Sequence, residues 1–316
     1  MTLPDFGIII ACCDHDYLFA KGCCASIRHF LGDVPIALIV DGTFSVEPLE
    51  RLYGVKVLNH DTVQNSYLRT HSFGWGKTKM IAFWESPWQH FLVLDADTNV
   101  WGDILRYANF EQYDVTIDDP ECNYPEADIE EYFFNIATIE KHFPSFDWQA
   151  HREDYFCTGT FFASRDIFPL EEYQEILAFT EAHPHAFKYG EMGFLNFMFC
   201  RAADEGRIRL NKVNFQLLAP DQPLHELQTR FPVTAQGPDP QGEDATVIHW
   251  CGPKPWLTNG KAHPDPMTFA RKTFLERDRG YRGWQAELWL QAEDNYSLFL
   301  KYQKKARKKV RRLLPF

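Results

Sequence analysis

The sequence predicts an α/β fold, a single Rossmann-like domain in which a mostly parallel central sheet is flanked by helices. Short apolar, β-branched segments at 6–12, 35–42 and 90–98 have the composition of buried parallel strands. The second of these strands ends in a turn, and the third runs into an acidic turn. Helical segments at 16–31 and 78–86 separate them, and this strand–helix alternation builds a parallel sheet through crossover connections. Acidic residues close all three strands, and such sheets bind ligands at the carboxyl ends of their strands.

The other elements follow in order along the chain. The sequence predicts a helix at 46–54, a strand at 55–59, an acidic loop at 118–131, a strand at 158–165, helices at 166–182 and 190–203, a surface loop at 219–245 and a last strand at 245–252. The C-terminal part is mainly helical. We therefore predict a catalytic domain over 1–260 and a helical extension over 261–316 that ends in a basic amphipathic tail.

The composition places the protein among globular proteins. Of its 316 residues, 45% are hydrophobic and 24% are charged, which supports a large core and excludes global disorder. No apolar run reaches the ~18–20 residues of a membrane-spanning helix, and the N-terminus lacks the basic region of a signal peptide. With eight cysteines and no C-x-x-C spacing, we expect reduced thiols and a cytoplasmic protein.

The charge is distributed unevenly. Eight of the 32 basic residues lie in 301–316, which leaves 24 basic against 44 acidic residues elsewhere, a charge of −20. An acidic body argues against a nucleic-acid partner. Residues 297–316 combine an apolar stripe with basic faces, as expected of a helix that lies on an anionic membrane at the inner face. Packing of this tail on the acidic body, or disorder, is the alternative.

Asp95 and Asp97 follow the apolar strand 91–94 directly. In an extended segment, residues two apart project to the same side, so these carboxylates can hold a hard divalent cation through oxygen. A pair of loop-capping residues is the alternative.

A second motif begins at His249, at the end of the last strand. An imidazole at a strand end can bind a metal ion. Gly252 would let the backbone approach a phosphate, and Lys254 would place a positive charge on it. The alternative is a core histidine beside an ordinary turn.

In this order the motifs resemble those of the GT-A-fold glycosyltransferases, and most closely those of glycosyltransferase family 8, which includes glycogenin and bacterial lipooligosaccharide galactosyltransferases. The resemblance covers most of 6–256. It consists of six motifs in chain order. The first three are acidic residues at the end of the first strand, a helix that contains Thr-Lys, and the Asp-x-Asp motif. The last three are a strand with Phe-x-x-Gly, a helix that ends in Leu-Asn, and His-x-x-Gly followed by Lys-Pro-Trp.

This resemblance implies an enzyme that transfers a hexose from a nucleotide sugar, UDP-linked, to a glycan or lipid-linked acceptor with retention. The metal, Mn²⁺ or Mg²⁺, would be held by Asp95, Asp97 and His249. Donor-binding residues would be Cys12, Asp14, Asp16, Lys79, Ala96, Gly252 and Lys254. Catalytic residues would be Lys79 together with Glu191 and Asp118, whose carboxylates could stabilise positive charge at the anomeric carbon.

Three departures from the family pattern point to a divergent member. One residue rather than two separates Gly252 from Lys254, Cys157 replaces an asparagine, and Glu191-Met192 replaces Asp-Gln. Alternatives therefore remain open at this point. One is a sugar-nucleotide hydrolase or an inverting transferase on the same fold, and the other is a catalytically silent module that binds a glycan or a nucleotide sugar.

Overall fold

The computed structural model describes residues 5–74, 76–240 and 247–313. The described strands, in chain order, are β1 Phe6–Cys13, β2 Ile36–Asp41, β3 Lys56–Leu58, β4 His90–Asp95, β5 Thr98–Val100, β6 Val115–Asp118, β7 Thr160–Ser164, β8 Leu210–Val213, β9 Gln216–Leu218, β10 Val233–Thr234, β11 Gly237–Pro238 and β12 Val247–His249.

Helices cover both faces of the main sheet. The described α-helices are α1 Tyr17–Phe30, α2 Glu47–Tyr53, α3 Ser66–His71, α4 Ala82–Glu85, α5 Glu126–Tyr132, α6 Ile136–His142, α7 Leu170–Ala182, α8 Glu191–Asp204, α9 Leu224–Arg230, α10 Asp265–Arg279 and α11 Trp284–Leu313. None of the helices within these described residues is long and apolar enough to cross a membrane.

The main sheet has seven strands in the order β3-β2-β1-β4-β7-β6-β8. The pairs β1–β2, β1–β4, β2–β3 and β6–β8 are parallel, whereas β7 runs antiparallel to both β4 and β6. This confirms the prediction of a mixed α/β fold with a mostly parallel sheet. The parallel strands β1, β2 and β4 end at the same edge, with Cys13, Asp41 and Asp95 as their last residues.

Strand β1 explains why its sequence is apolar without alternation. Ile8 and Ile10 pack into the core on the face of α1, whereas Ile9 packs into the core on the opposite face. All three side chains are fully buried. A strand covered on both sides needs apolar residues at every position, and each such side chain contributes about 1.5–3 kcal/mol by burial.

A second sheet of three strands, in the order β5-β12-β9, lies beyond the end of β4. Strand β12 pairs antiparallel with β5, which sets His249 opposite Thr98. The same strand pairs parallel with β9, which sets His249 opposite Leu218. This small sheet therefore brings the last strand of the predicted domain next to the Asp-x-Asp segment.

Helices α10 and α11 complete the core near α1. Gly22 of α1 permits a close approach, because a β-carbon there would clash with Met267 of α10. Arg271 of α10 is buried and forms ion pairs with Asp294 at 2.8 Å and Glu293 at 3.1 Å on α11. The division at residue 260 stays a prediction.

Two predicted loops contain regular structure. The acidic loop at 118–131 contains most of α5. The predicted surface loop at 219–245 contains α9 and the β10–β11 hairpin, and residues 241–246 lie outside the described part of the chain. The helical prediction for 78–86 is confirmed by a 3₁₀ helix over Lys77–Ile81 that is followed by the short α4. The prediction for 90–98 is also confirmed, since β4 runs into a turn that leads to β5 of the second sheet.

Candidate active site at the carboxyl edge of the sheet

The Asp-x-Asp segment lies where β4 runs into the predicted acidic turn. Asp95 ends β4, Ala96 and Asp97 make the turn, and β5 begins at Thr98. The backbone N–H of Asp95 donates to the carbonyl of Gly159 at 2.8 Å, and the Thr98 hydroxyl donates to the carbonyl of Asp95 at 2.8 Å. The backbone of Asp95 is therefore fixed by a residue that precedes β7 and by the first residue of β5.

His249 meets these two carboxylates at the end of β12. Its Nε2 lies 3.7 Å from Asp95 Oδ2 and 3.6 Å from Asp97 Oδ1. One ligand atom from each of the three residues lies within 4.8 Å of the other two, a spacing that can hold a metal ion. The structure thus brings His249 to two carboxylates that precede it by more than 150 positions in the sequence.

Gln216 on β9 orients the imidazole, and the sequence analysis missed it. Its amide Nε2 donates to the carbonyl of Cys157 at 3.1 Å, so its Oε1 faces His249 Nδ1 at 3.1 Å. An amide oxygen can only accept, so Nδ1 carries a proton and Nε2 faces the carboxylates. The sequence signal that could have identified Gln216 is its position as the one polar residue in the apolar run 215–218.

Burial opposes a charge on His249, but the neighbouring Cys157 and Asp97 outweigh it and raise its pKa to about 10. Protonated, the imidazole would carry part of the charge needed to offset the two carboxylates. A cation bound between them would replace that proton, which is the usual linkage between metal binding and proton release.

Lys79 is buried beneath the site. Its ammonium group lies 2.8 Å from Asp95 Oδ1 and 2.7 Å from Glu191 Oε1, and it donates to the carbonyl of Thr158 at 2.9 Å. Burial alone would lower the pKa of Lys79, but the two carboxylates raise it well above its ordinary value. Glu191, the first residue of α8, also accepts a hydrogen bond from the Thr158 hydroxyl at 2.9 Å.

A second lysine, Lys254, contacts Asp97 of the carboxylate pair, whereas Lys79 contacts Asp95. The Lys254 ammonium group lies 2.5 Å from Asp97 Oδ2 and 3.5 Å from Asp16 Oδ1. Burial raises the pKa of Asp97, but the opposing effect of Lys254 and His249 is larger and leaves this pKa well below its ordinary value. With His249 neutral, the formal charge of the cluster is two units negative, from four carboxylates and two ammonium groups: Asp16, Asp95, Asp97, Glu191, Lys79 and Lys254.

The remaining predicted donor-binding residues lie at the end of β1, in the turn between β4 and β5, and after β12. Cys12 is buried and Asp14 is exposed, with a carboxylate oxygen 3.6 Å from the His15 ring. Ala96 is buried in the turn between β4 and β5. Gly252 has a φ of 114°, a conformation that favours glycine.

Asp118 occupies a supporting position. It ends β6, is buried, and its Oδ1 accepts hydrogen bonds from the backbone N–H groups of Phe215 at 3.1 Å and Gln216 at 2.8 Å. Burial raises the pKa of Asp118 to about 7, although those hydrogen bonds oppose the shift. The carboxylate therefore fixes the segment that carries Gln216, and its catalytic role stays a prediction.

Comparison with known proteins gives a fold but no sequence family. No protein-family model and no curated protein matches the chain. Among solved structures, the galactosyltransferase LgtC in complex with donor and acceptor sugar analogs is similar, with a TM-score of 0.53 and 12% identity over 88% of this chain and 96% of that one.

Two further solved structures have the same fold. The bifunctional glycosyltransferase WbbM in its apo form has a TM-score of 0.53 at 12% identity, over 92% of this chain and 52% of that one. The glycosyltransferase GlyE of Streptococcus pneumoniae has a TM-score of 0.50 at 12% identity, over 93% and 64%. The chain therefore has the fold of the GT-A glycosyltransferases, as the resemblance predicted.

Proposed function

We propose that the protein is a metal-dependent glycosyltransferase of the family-8 type that moves a hexose from a UDP-linked sugar to a glycan or lipid-linked acceptor with retention. The observation that carries the proposal is the meeting of Asp95, Asp97 and His249 at the carboxyl edge of a GT-A sheet. Ligands of open α/β sheets bind at this edge.

The residues present fit a hard divalent cation such as Mn²⁺ or Mg²⁺. Two carboxylates and one imidazole, oriented by Gln216 through its other nitrogen, are a donor set of this kind. The formal surplus of two negative charges suits a divalent ion. When bound, the cation would stabilise the negative charge that develops on a departing nucleoside diphosphate.

Two lysines support the same chemistry from opposite sides. Lys254 is only partly buried, so its ammonium group can leave Asp97 and bind a diphosphate oxygen. Lys79 is fully enclosed by Asp95, Glu191 and the Thr158 carbonyl. Its role is to hold Asp95 in place and to lower the negative potential of the site.

The donor would extend from the metal towards the end of β1. Asp16 already reaches Lys254 at 3.5 Å, and Asp14 is open to solvent two residues earlier. We assign Cys12, Asp14 and Asp16 to the uracil and ribose. Gly252 and Ala96 would offer backbone to the donor. Glu191, which pairs with Lys79 next to Asp95, would stabilise positive charge at the anomeric carbon.

The C-terminal tail supports an acceptor at a membrane surface. Phe299 and Tyr302, two members of the apolar stripe predicted in 297–316, are 59% and 67% exposed on α11, so most of each ring is open to solvent. Lys304 lies 3.4 Å from His15, next to the proposed donor residues. The side chains of Val310 and Leu313 lie outside the described part of the chain. Apolar and basic groups at the mouth of the site suit an anionic, lipid-linked acceptor.

The test is a screen of nucleotide sugars with Mn²⁺, with and without a soluble glycan acceptor. We expect turnover of a UDP-sugar that depends on the acceptor and that Asp97→Asn abolishes. Release of free sugar without acceptor dependence would indicate the hydrolase. A raised melting temperature with UDP and Mn²⁺ but no turnover would indicate the silent binding module. The proposal would be refuted if no nucleotide sugar gave either turnover or a raised melting temperature.

The membrane contact has its own test. The full chain should co-sediment with vesicles that contain anionic phospholipid at low salt and detach as salt rises. Deletion of 301–316 should abolish sedimentation and leave turnover on a soluble acceptor intact. Binding by the truncated chain, or none by the full chain, would contradict the contact.

A further inference from the structure

A second cluster of potential metal ligands lies on the opposite side of the His249 ring. It consists of the thiols of Cys157 and Cys251 and the imidazole itself, with one ligand atom of each within 4.8 Å of the other two. Cys157 Sγ lies 3.7 Å from Nδ1, whereas Asp95 and Asp97 lie nearest to Nε2. One imidazole therefore stands between a carboxylate pair and a thiol pair.

The two sides suit different ions. Carboxylate oxygens prefer hard cations, whereas two thiolates with an imidazole form a set that favours Zn²⁺ and other thiophilic ions. The thiol side also has a fourth donor within reach, because Gln216 Oε1 lies 3.1 Å from Nδ1. Tetrahedral zinc takes four ligands of this kind, or three and a water molecule.

We propose that Cys157, Cys251 and Nδ1 of His249 form a second metal site, which takes a thiophilic divalent ion such as Zn²⁺. Cys251 and Cys157 are only partly buried, and Cys251 lies in the exposed turn after β12, so an ion can enter from solvent. Binding displaces the Nδ1 proton and the two thiol protons, and the ion takes their place.

A thiophilic ion bound by Cys157, Cys251 and His249 would affect cation binding at the carboxylate site, because both sites use His249. Nδ1 then no longer donates to Gln216, and the neutral ring carries its one remaining proton on Nε2, the nitrogen that faces Asp95 and Asp97 and would otherwise bind Mn²⁺. A thiophilic ion would therefore weaken binding of Mn²⁺ at the carboxylate side. This consequence rests on the proposed function of the carboxylate site, whereas binding of the thiophilic ion does not.

The binding test uses Cd²⁺ as the probe with the reduced full-length chain, because thiolate-to-cadmium charge transfer absorbs in the near ultraviolet. We expect one equivalent of Cd²⁺ to produce the band, and Cys251→Ser and Cys157→Ser each to weaken Cd²⁺ binding on the order of tenfold or more. Cys122→Ser is the matched control, since Cys122 is exposed outside the cluster. Unchanged melting temperatures would show that the variants fold.

Asp97→Asn separates the two sites, and it should keep the cadmium band. A band that survives in both cysteine variants, or that is lost in Asp97→Asn, would overturn the proposal. A second measurement follows Mn²⁺ binding by electron paramagnetic resonance. One equivalent of Zn²⁺ should weaken Mn²⁺ binding in the wild type but not in Cys251→Ser. If Zn²⁺ weakens Mn²⁺ binding equally in the wild type and in Cys251→Ser, His249 is not a ligand common to the two sites. Absence of UDP-sugar turnover would bear only on the proposed function.

Discussion

The ammonium group of Lys254 lies 2.5 Å from Asp97, on the same carboxylate that faces His249 from its other oxygen at 3.6 Å. Asp97 is therefore shared between a lysine and the proposed metal ligand set. A lysine that neutralises Asp97 in the absence of ligand competes with a cation for that carboxylate. The same lysine becomes available for a diphosphate once the cation is bound.

Lys254→Met should separate these two effects, because it keeps the length of the side chain and removes its charge. Without nucleotide, Mn²⁺ should bind more tightly, on the order of tenfold, since the competing charge is gone. Turnover of the UDP-sugar should fall by about 10²-fold, since one contact to the leaving group is lost. Titration calorimetry and initial rates measure the two quantities.

Lys141→Met is the matched control, because Lys141 is exposed on α6, remote from the described site contacts. It should change neither quantity. Weaker Mn²⁺ binding in Lys254→Met would contradict the competition and would place Lys254 among the groups that support the ion.

Asp95→Asn and Asp97→Asn should each reduce turnover by about 10²-fold or more, because each removes a negative charge from the cation site. A chelator should abolish activity, and Mn²⁺ should restore it. Asp61→Asn serves as the control, since its side chain is 93% exposed. Full activity in the presence of the chelator would exclude a metal requirement.

Gln216→Leu should weaken Mn²⁺ binding by about 10–100-fold, because the imidazole loses the acceptor that fixes its Nδ1 proton. The effect should appear as a higher Mn²⁺ concentration for half-maximal rate, with kcat at saturating Mn²⁺ much less affected. Gln149→Leu, at an exposed position, is the control. An equal loss of kcat at saturating Mn²⁺ would instead indicate direct contact of Gln216 with the substrate.

His151 should make stability depend on pH. Its Nδ1 and Nε2 lie 2.9 Å from Asp154 and Asp204. Burial opposes its charge, but these carboxylates and Cys200 outweigh burial and raise the pKa of His151 to about 11. Because the folded pKa exceeds the unfolded value of about 6.5, the stabilisation is complete below that pH and is lost as pH rises towards 11.

His151→Gln should therefore lower the free energy of unfolding by about 2 kcal/mol at pH 6, and by less at pH 9 and above. Urea unfolding at several pH values measures the difference. His225→Gln, at an exposed position on α9, should show no such trend. A difference between His151→Gln and wild type that grows with pH would show that the ring is neutral in the folded protein.

Much of the fold was predictable because its signals are local. The apolar run of β1 and the alternation with α1 and β2 indicate buried parallel strands by composition alone. The antiparallel insertion of β7 between β4 and β6 was not predictable, because strand order depends on contacts between residues distant in sequence. The hairpin and helix within 219–245 were missed because Pro and Gly are typical of loops.

The sequence by itself determined which residue types are available for the site: Asp95 and Asp97 after an apolar strand, and His249 before a glycine and a lysine. Only the tertiary structure decided which atoms meet. The register of β12 between β5 and β9 sets Nε2 of His249 towards the carboxylates and Nδ1 towards Gln216 and Cys157. A sequence lists side chains, but the direction of each ring nitrogen depends on neighbours that long-range strand pairing supplies.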